Sequence, residues 1–293
     1  MSTALGYIPK SWRRVKVIFI PKPGRQTYTE TSSFRPISLT SFLLKILERL
    51  VEINIRNKIQ LHDMQFAYQK SKSTETALHK LVDRIEGALK IKEFALGIFI
   101  DISGAFDNAS FDAILRTLRA KGIRESIINW IHNMLRLRII NADNDICVTA
   151  VKGCPQGGVL SPLLWLILAD ELISHLNKFG FYTQAYADDF ATVLVGQHIK
   201  TLEDLLNTVL NEMTNWCNRV GLSINCNKTT MVLFTNRKKI EPIQLRSIKF
   251  KEIKLSGSVK YLGITLDSKL SWKSDLGDKP QDFPKTPRHC IKN

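Results

Sequence analysis

Acidic residues are scarce in this 293-residue chain: 27 Asp and Glu stand against 42 Lys and Arg, for a formal net charge of +15 at pH 7. Cysteine is scarce too, and its five copies (Cys147, Cys154, Cys217, Cys226 and Cys290) form no CxxC pair. That set argues against a disulfide framework or a zinc knuckle and for an intracellular, reducing compartment, without separating nucleus from cytoplasm. Long apolar runs are missing. The longest, Leu163 to Ala169, is too short to cross a bilayer, and Lys10, Arg13, Arg14 and Lys16 interrupt any secretory apolar core, so no membrane role is expected. There is no internal repeat or low-complexity tract. With 44% hydrophobic and 24% charged residues, the composition excludes disordered, collagenous and coiled-coil classes.

The positive charge that is present is segregated. Residues 1–29 carry six Lys or Arg, including Lys22 and Arg25, and no acid. Residues 219–260 carry ten, against only Glu241 and Glu252. These two blocks supply nearly all of the excess, which points to a polyanion partner, nucleic acid being the commonest. A solvated basic face is the plainer alternative.

Hydrophobic periodicity predicts an α+β chain. Val15–Ile20 reads as a strand closed by the turn Pro21-Lys22-Pro23-Gly24. Phe42 to about Ile59 reads as a helix with Leu43, Ile46, Leu47, Leu50, Val51 and Ile55 on one core-facing side. Ser73 or Thr74 caps a second helix to about Leu89, and Phe94–Ile100 is a buried strand delivering Asp101 at its end. Helices follow from Ser110 to Gly122 and on to about Leu135, then a hairpin around Asp143-Asn144. Ser161 reads as the N-cap of a helix with Pro162 at its first position and Gly180 just past its end. Two strands over Tyr182–Val195 meet at Asp188-Asp189, and a helix over Thr201–Val220, with Glu203 and Asp204 in its first turn, stops at Gly221. Two or three short strands run on to about Leu266, before a Pro-rich tail.

Three carboxylates at apolar strand ends are costly without a positive partner. Unit charges about 4 Å apart repel by roughly 4 kcal/mol at an effective dielectric near 20. Protonating one member relieves this, and so does a divalent cation; few hard oxygen ligands suit Mg²⁺, which completes its shell with water and phosphate oxygens. Two such ions would serve an in-line phosphoryl displacement. Taken alone, Asp188-Asp189 could equally be a turn dipeptide.

The surrounding blocks decide between these readings. Tyr186-Ala187-Asp188-Asp189 resembles the signature of reverse transcriptases, and the chain resembles those of non-LTR retrotransposons of the insect jockey-like group. Ile20-Pro21-Lys22-Pro23-Gly24 and Phe34-Arg35-Pro36-Ile37-Ser38-Leu39 look like fingers blocks, followed by Gln65-Phe66-Ala67-Tyr68 through Ser73-Thr74-Glu75. Phe99 through Asp107 is similar to motif A, and Gly153-Cys154-Pro155-Gln156-Gly157 with Ser161-Pro162 to motif B. Gly221-Leu222-Ser223-Ile224-Asn225 with Lys228-Thr229 resembles motif D, and Tyr261-Leu262-Gly263-Ile264 resembles motif E. The likeness spans about residues 5–273.

The resemblance implies a right-hand polymerase: fingers over 1–93, palm over 94–107, a fingers return over 108–152, palm again over 153–273, a disordered tail over 274–293 and no thumb. It implies extension of a DNA primer on an RNA template with deoxynucleoside triphosphates, using two Mg²⁺ ions or Mn²⁺ in their place. Asp101 and Asp188 would bind metal with the carbonyl of Ile102, supported by Asp189. Lys22 and Arg35 would hold the triphosphate, with Gln156 and Gly157 packing beside the nucleotide. Phe106 would exclude a 2′-hydroxyl, and Lys228 would protonate the pyrophosphate or serve only as a surface lysine. Tyr261, Leu262 and Gly263 would grip the primer. The family's endonuclease and thumb have no counterpart in the sequence, so a truncated copy is expected, with the endonuclease on a separate partner if one acts. Two alternatives stay open: an element copy that only binds RNA, and a viral-type RNA-dependent RNA polymerase, which also carries two motif A acids such as Asp101 and Asp107. Ala187 and Phe106 favour DNA synthesis over the latter.

Overall fold

The computed structural model describes residues 6–24, 27–30, 33–141, 147–237 and 253–272. Arg25, the expected turn at Asp143-Asn144 and the tail over 274–293 lie outside them.

Strand β3 (Phe94–Asp101) organises the larger sheet. Its run Phe-Ala-Leu-Gly-Ile-Phe-Ile shows no polar alternation because both faces are covered. Side chains alternate across a strand, so Phe94, Leu96, Ile98 and Ile100 enter one core and Ala95 and Phe99 a second. The first core is closed by helices α4 (Phe111–Ala120), α6 (Ser161–Lys178) and α7 (Ile199–Val220). The second is closed by α2 (Thr74–Lys90) and the hairpin β10 (Ser258–Tyr261)–β11 (Ile264–Asp267). The sheet order is β6-β7-β3-β8-β9, with β6 (Tyr182–Tyr186), β7 (Asp189–Gly196), β3 and β8 (Thr230–Phe234) antiparallel and β9 (Lys254–Ser256) added in parallel at the edge.

A second sheet, β2-β1-β4-β5, is assembled from distant segments. β1 (Arg14–Pro21) pairs antiparallel with β2 (Phe34–Leu39) and parallel with β4 (Ile139–Asn141), which pairs with β5 (Cys147–Thr149). Helices α1 (Phe42–Arg56), α3 (Ala105–Asn108) and α5 (Glu125–Arg136) and a 3-10 turn over Lys10–Trp12 complete the described elements. Among the described residues, no helix is long and apolar enough to cross a membrane.

The expected elements are present, with instructive differences. Ser73 caps α2 in a reciprocal capping box with Thr76, as its position suggested. α7 starts at Ile199, a turn ahead of Glu203 and Asp204, and among the described residues four strands rather than two or three follow it. The α1 face is rotated. Leu44, Glu48, Val51, Glu52 and Ile55 are buried, whereas Leu43 is 53% and Leu50 57% exposed. The helix is apolar over two overlapping stripes, and two glutamates decide which turns inward. Glu52 accepts from both Arg49 and Arg56, at 2.6 and 2.9 Å. Glu48 reaches another helix. Its Oε2 accepts the backbone N–H of Leu160 at 2.9 Å, capping α6 from outside. Burial raises the Glu48 pKa, and those amides pull it back down. Ser161 is therefore not the N-cap: it is the first helical residue, and its hydroxyl donates to the carbonyl of Pro155 at 2.8 Å.

Candidate active site

Asp101 is the last residue of β3, facing Asp189 in the register of β7. The β6–β7 turn is Ala187-Asp188, one residue earlier than the Asp188-Asp189 expected, with Ala187 in the left-handed region at φ 58°. That conformation costs a non-glycine residue about 1 kcal/mol or more and is held from behind. Trp165, fully buried in α6, donates its indole Nε1–H to the carbonyl of Ala187 at 2.9 Å. Its ring also packs on Phe106, with centroids 5.6 Å apart. Trp165→Phe keeps most of the ring but strands the Ala187 carbonyl. Such a loss typically costs 1–3 kcal/mol, so a melting temperature several degrees lower is expected by calorimetry; an unchanged value would remove the bond from the account.

The segment after α7 zips onto the end of β3. Asn225 N–H donates to Asp101 O at 2.9 Å, Ser103 N–H to Ser223 O at 2.9 Å, and Ile102 bridges Ile224. This brings Lys228 Nζ to 3.3 Å from Asp101 Oδ2.

The loop before α6 is fixed just as closely. Cys154 N–H donates to Phe106 O at 2.7 Å, Gly153 N–H to Ala109 O at 2.8 Å, and Ser38 N–H to Gln156 O at 2.7 Å. Gly153 has φ +78°, and a Cβ there would lie 2.3 Å from Asp107 O. At Gly157, φ +98°, a Cβ would lie 2.9 Å from Ser38 O. Both positions exclude a side chain; Gly157 makes its close approach to β2. Buried Arg138 donates to Gly153 O at 3.0 Å. Cys154 is buried, and burial pushes its thiol up to about 12, which rules out a thiolate role.

Together these loops enclose a cavity of about 980 Å³. Asp101, Ile102, Asp188 and Lys228 line it, as do Lys22 and Arg35, and Phe106, Gln156 and Gly157. Nine of the sequence-predicted residues thus share one space. Asp189 does not; it lines an adjoining cavity of about 470 Å³ with Asp101, Lys228, Ser256, Lys260 and Tyr261. The two adjacent aspartates line different cavities, Asp188 from the turn and Asp189 from the first position of β7. Tyr261 is buried, with its hydroxyl 3.4 Å from the Gln184 amide. Leu262 and Gly263, both at positive φ, form the two-residue β10–β11 turn. The sequence reading missed Glu48, Arg138 and Trp165, whose partners lie far along the chain. It also assigned no role to Tyr68, which lines the main cavity at φ 52° with its carbonyl held by Arg56 at 3.1 Å.

The electrostatics fit a cation. Burial first, then the charges of Asp188 and Asp101, push the Asp189 carboxyl up to about 6, although it reaches solvent. Burial and Asp101 also raise Asp188, while Lys228 and Arg35 pull it down. An acid whose folded pKa exceeds its unfolded one destabilises the fold where it is ionised. Between about pH 7 and pH 5 the metal-free protein should gain more melting temperature than Asp189→Asn; an equal or smaller gain contradicts the crowding. Among the described residues, no three His, Cys, Asp or Glu side chains converge on one point. Two carboxylates beside a backbone carbonyl suit Mg²⁺, which takes few protein ligands and keeps positions for water and phosphate.

The chain resembles known proteins over nearly its whole length. Residues 20–266 match the family model described as reverse transcriptase (RNA-dependent DNA polymerase). The protein called RNA-directed DNA polymerase from mobile element jockey of Drosophila melanogaster is 30% identical over 95% of this chain. The probable RNA-directed DNA polymerase from transposon BS, of the same species, is 30% identical over 92%. The chain spans 31% of the length of each. Among solved structures, telomerase from Candida tropicalis in complex with a telomeric RNA fragment superimposes with a TM-score of 0.59. That likeness covers 94% of this chain and 46% of the telomerase at 15% identity, and it shows a shared fold.

Proposed function

We propose that this chain, which belongs to the reverse transcriptase (RNA-dependent DNA polymerase) family, extends a DNA primer on an RNA template by transferring deoxynucleotides to the primer 3′-hydroxyl. The observation that carries the reading is the single cavity with Asp101 and Asp188 beside Lys22, Arg35, Phe106 and Gln156. In it, Arg35 and Lys22 bind triphosphate oxygens, the guanidinium as a planar fork and the ammonium as a point charge. Phe106 closes the space where a 2′-hydroxyl would sit, Gln156 packs beside the nucleotide, and the Gly157 backbone forms the adjoining wall. Asp101 and Asp188 with the Ile102 carbonyl would hold Mg²⁺ or Mn²⁺, and Asp189 supports them from the adjoining cavity. Bound there, a pair of divalent ions supplies charge neutralisation at the attacking and leaving oxygens. Lys228, an ammonium beside Asp101, is placed to give a proton to departing pyrophosphate. Tyr261, Leu262 and Gly263 form the hairpin that would bear on the primer next to Asp189.

The fingers comprise 1–93 and 108–152 and the palm 94–107 and 153–273; pairing of β1 with β4 across more than a hundred residues supports uniting the two fingers segments. The test is extension of oligo(dT) on poly(rA) with Mg²⁺ or Mn²⁺. Processive or distributive DNA synthesis supports the reading, and RNA binding without any extension overturns it.

A further inference from the structure

Asp107 follows Phe106 directly and lines the main cavity without belonging to the proposed metal or triphosphate set. Its Oδ2 accepts a hydrogen bond from Gln156 Nε2 at 2.8 Å. We propose that Asp107 is a positioning residue: it fixes the orientation of the Gln156 side-chain amide and thereby how the incoming nucleotide is held. The proposal rests on the polymerase reading of the site.

A side-chain amide presents donors at one end and an acceptor at the other, in outlines so alike that only its partners choose between them. An ionised carboxylate only accepts, so the Gln156 NH₂ is committed to Asp107 and the carbonyl end is what remains for a ligand. Without Asp107, both orientations become available and the nucleotide meets a mixture of the two.

The pair is not needed to dock the two loops, which separates positioning from folding. Backbone bonds already join them: Cys154 N–H to Phe106 O, Gly153 N–H to Ala109 O, and Ser38 N–H to Gln156 O from the other side. The side-chain bond therefore adds orientation to a backbone that is held independently.

Charge points the same way. An anion beside residues that receive a triphosphate works against binding, and partial desolvation raises the Asp107 pKa although the side chain reaches solvent. Buried Arg138 and Lys22 oppose that shift and favour the ionised, acceptor-only form. A neutral residue would be the simpler occupant were no strong acceptor required.

The experiment is single-nucleotide incorporation of dTTP on oligo(dT)·poly(rA) by the full chain and four variants: Asp107→Ala, Asp107→Asn, Gln156→Ala and the double alanine. Asp107→Ala is expected to raise KM for dTTP by about tenfold with kcat within about twofold, the loss of one oriented polar contact. The double variant should be no worse than Gln156→Ala alone, since both remove one coupled interaction. Asp107→Asn, whose Oδ1 still accepts from the amide, should restore KM to within about threefold of wild type. Additive effects, a defect confined to kcat, or an Asn variant as poor as the Ala variant would each overturn the proposal. Should the wild type incorporate nothing, the polymerase reading fails by itself and the pair is read from the Gln156 side-chain amide resonances, assigned by their loss in Gln156→Ala. A shift of those resonances in Asp107→Ala and its absence in Asp107→Asn support the positioning role; no shift in Asp107→Ala overturns it.

Discussion

Asp188→Asn is expected to lower single-turnover primer extension by about a thousandfold or more while RNA affinity stays within about twofold. The substitution keeps shape and removes one charge from a pair whose purpose, on the proposed reading, is to hold a divalent cation. Its effect on stability should have the opposite sign to its effect on rate. Burial and the charge of Asp101 raise Asp188, so its ionised form is a burden on the fold, and neutral Asn relieves the repulsion. The expected outcome is an inactive protein with an equal or higher melting temperature. A merely structural aspartate would show the reverse, with stability and RNA binding falling together. Extension retained within about tenfold would remove Asp188 from the catalytic set.

Phe106→Ala is expected to cut discrimination against ribonucleotides by about a hundredfold, read as the ratio of kcat/KM for dTTP and UTP on the same primer–template. The ring can act as a wall only if it cannot retreat. Trp165 stands behind it at 5.6 Å, and that indole is itself hydrogen-bonded and fully buried. Truncation to Ala opens a space larger than a hydroxyl and costs about 2 kcal/mol of packing, since the ring is only partly buried. The comparison is therefore made well below the melting temperature. Unchanged discrimination would place the sugar elsewhere in the cavity.

Much of this site could be read from the chain because its parts are local. A seven-residue apolar run ending in Asp101 is a strand with an acid at its tip whatever surrounds it, and Tyr186-Ala187-Asp188-Asp189 between apolar runs is a turn. Ser73 caps α2 within its own first turn. What resisted reading is non-local. Helical periodicity spaces the apolar residues of α1 correctly but does not say which of two overlapping stripes faces inward; Glu48, acting on the distant α6, and Glu52, held by two arginines, make that choice. The same contact explains why Ser161 misled: its position fits an N-cap, but the capping acid arrives from a residue 112 positions away. Trp165 lay within an apolar run that reads as core on every side, with no local mark of its bond to Ala187. Asp107 and Gln156, 49 residues apart, carry no spacing that could announce their contact.

Trp165 links two parts of the site that chemistry treats as separate. The indole ring packs at a tilt against Phe106, and its N–H holds the turn that carries Asp188. On the proposed reading, a sugar too large for the cavity would press on Phe106, and the buried indole behind it would pass that load to the carboxylate turn. On that reading, substrate checking and catalytic geometry would share one mechanical part. A change at Phe106 that relaxes selectivity is then expected to alter the extension rate as well.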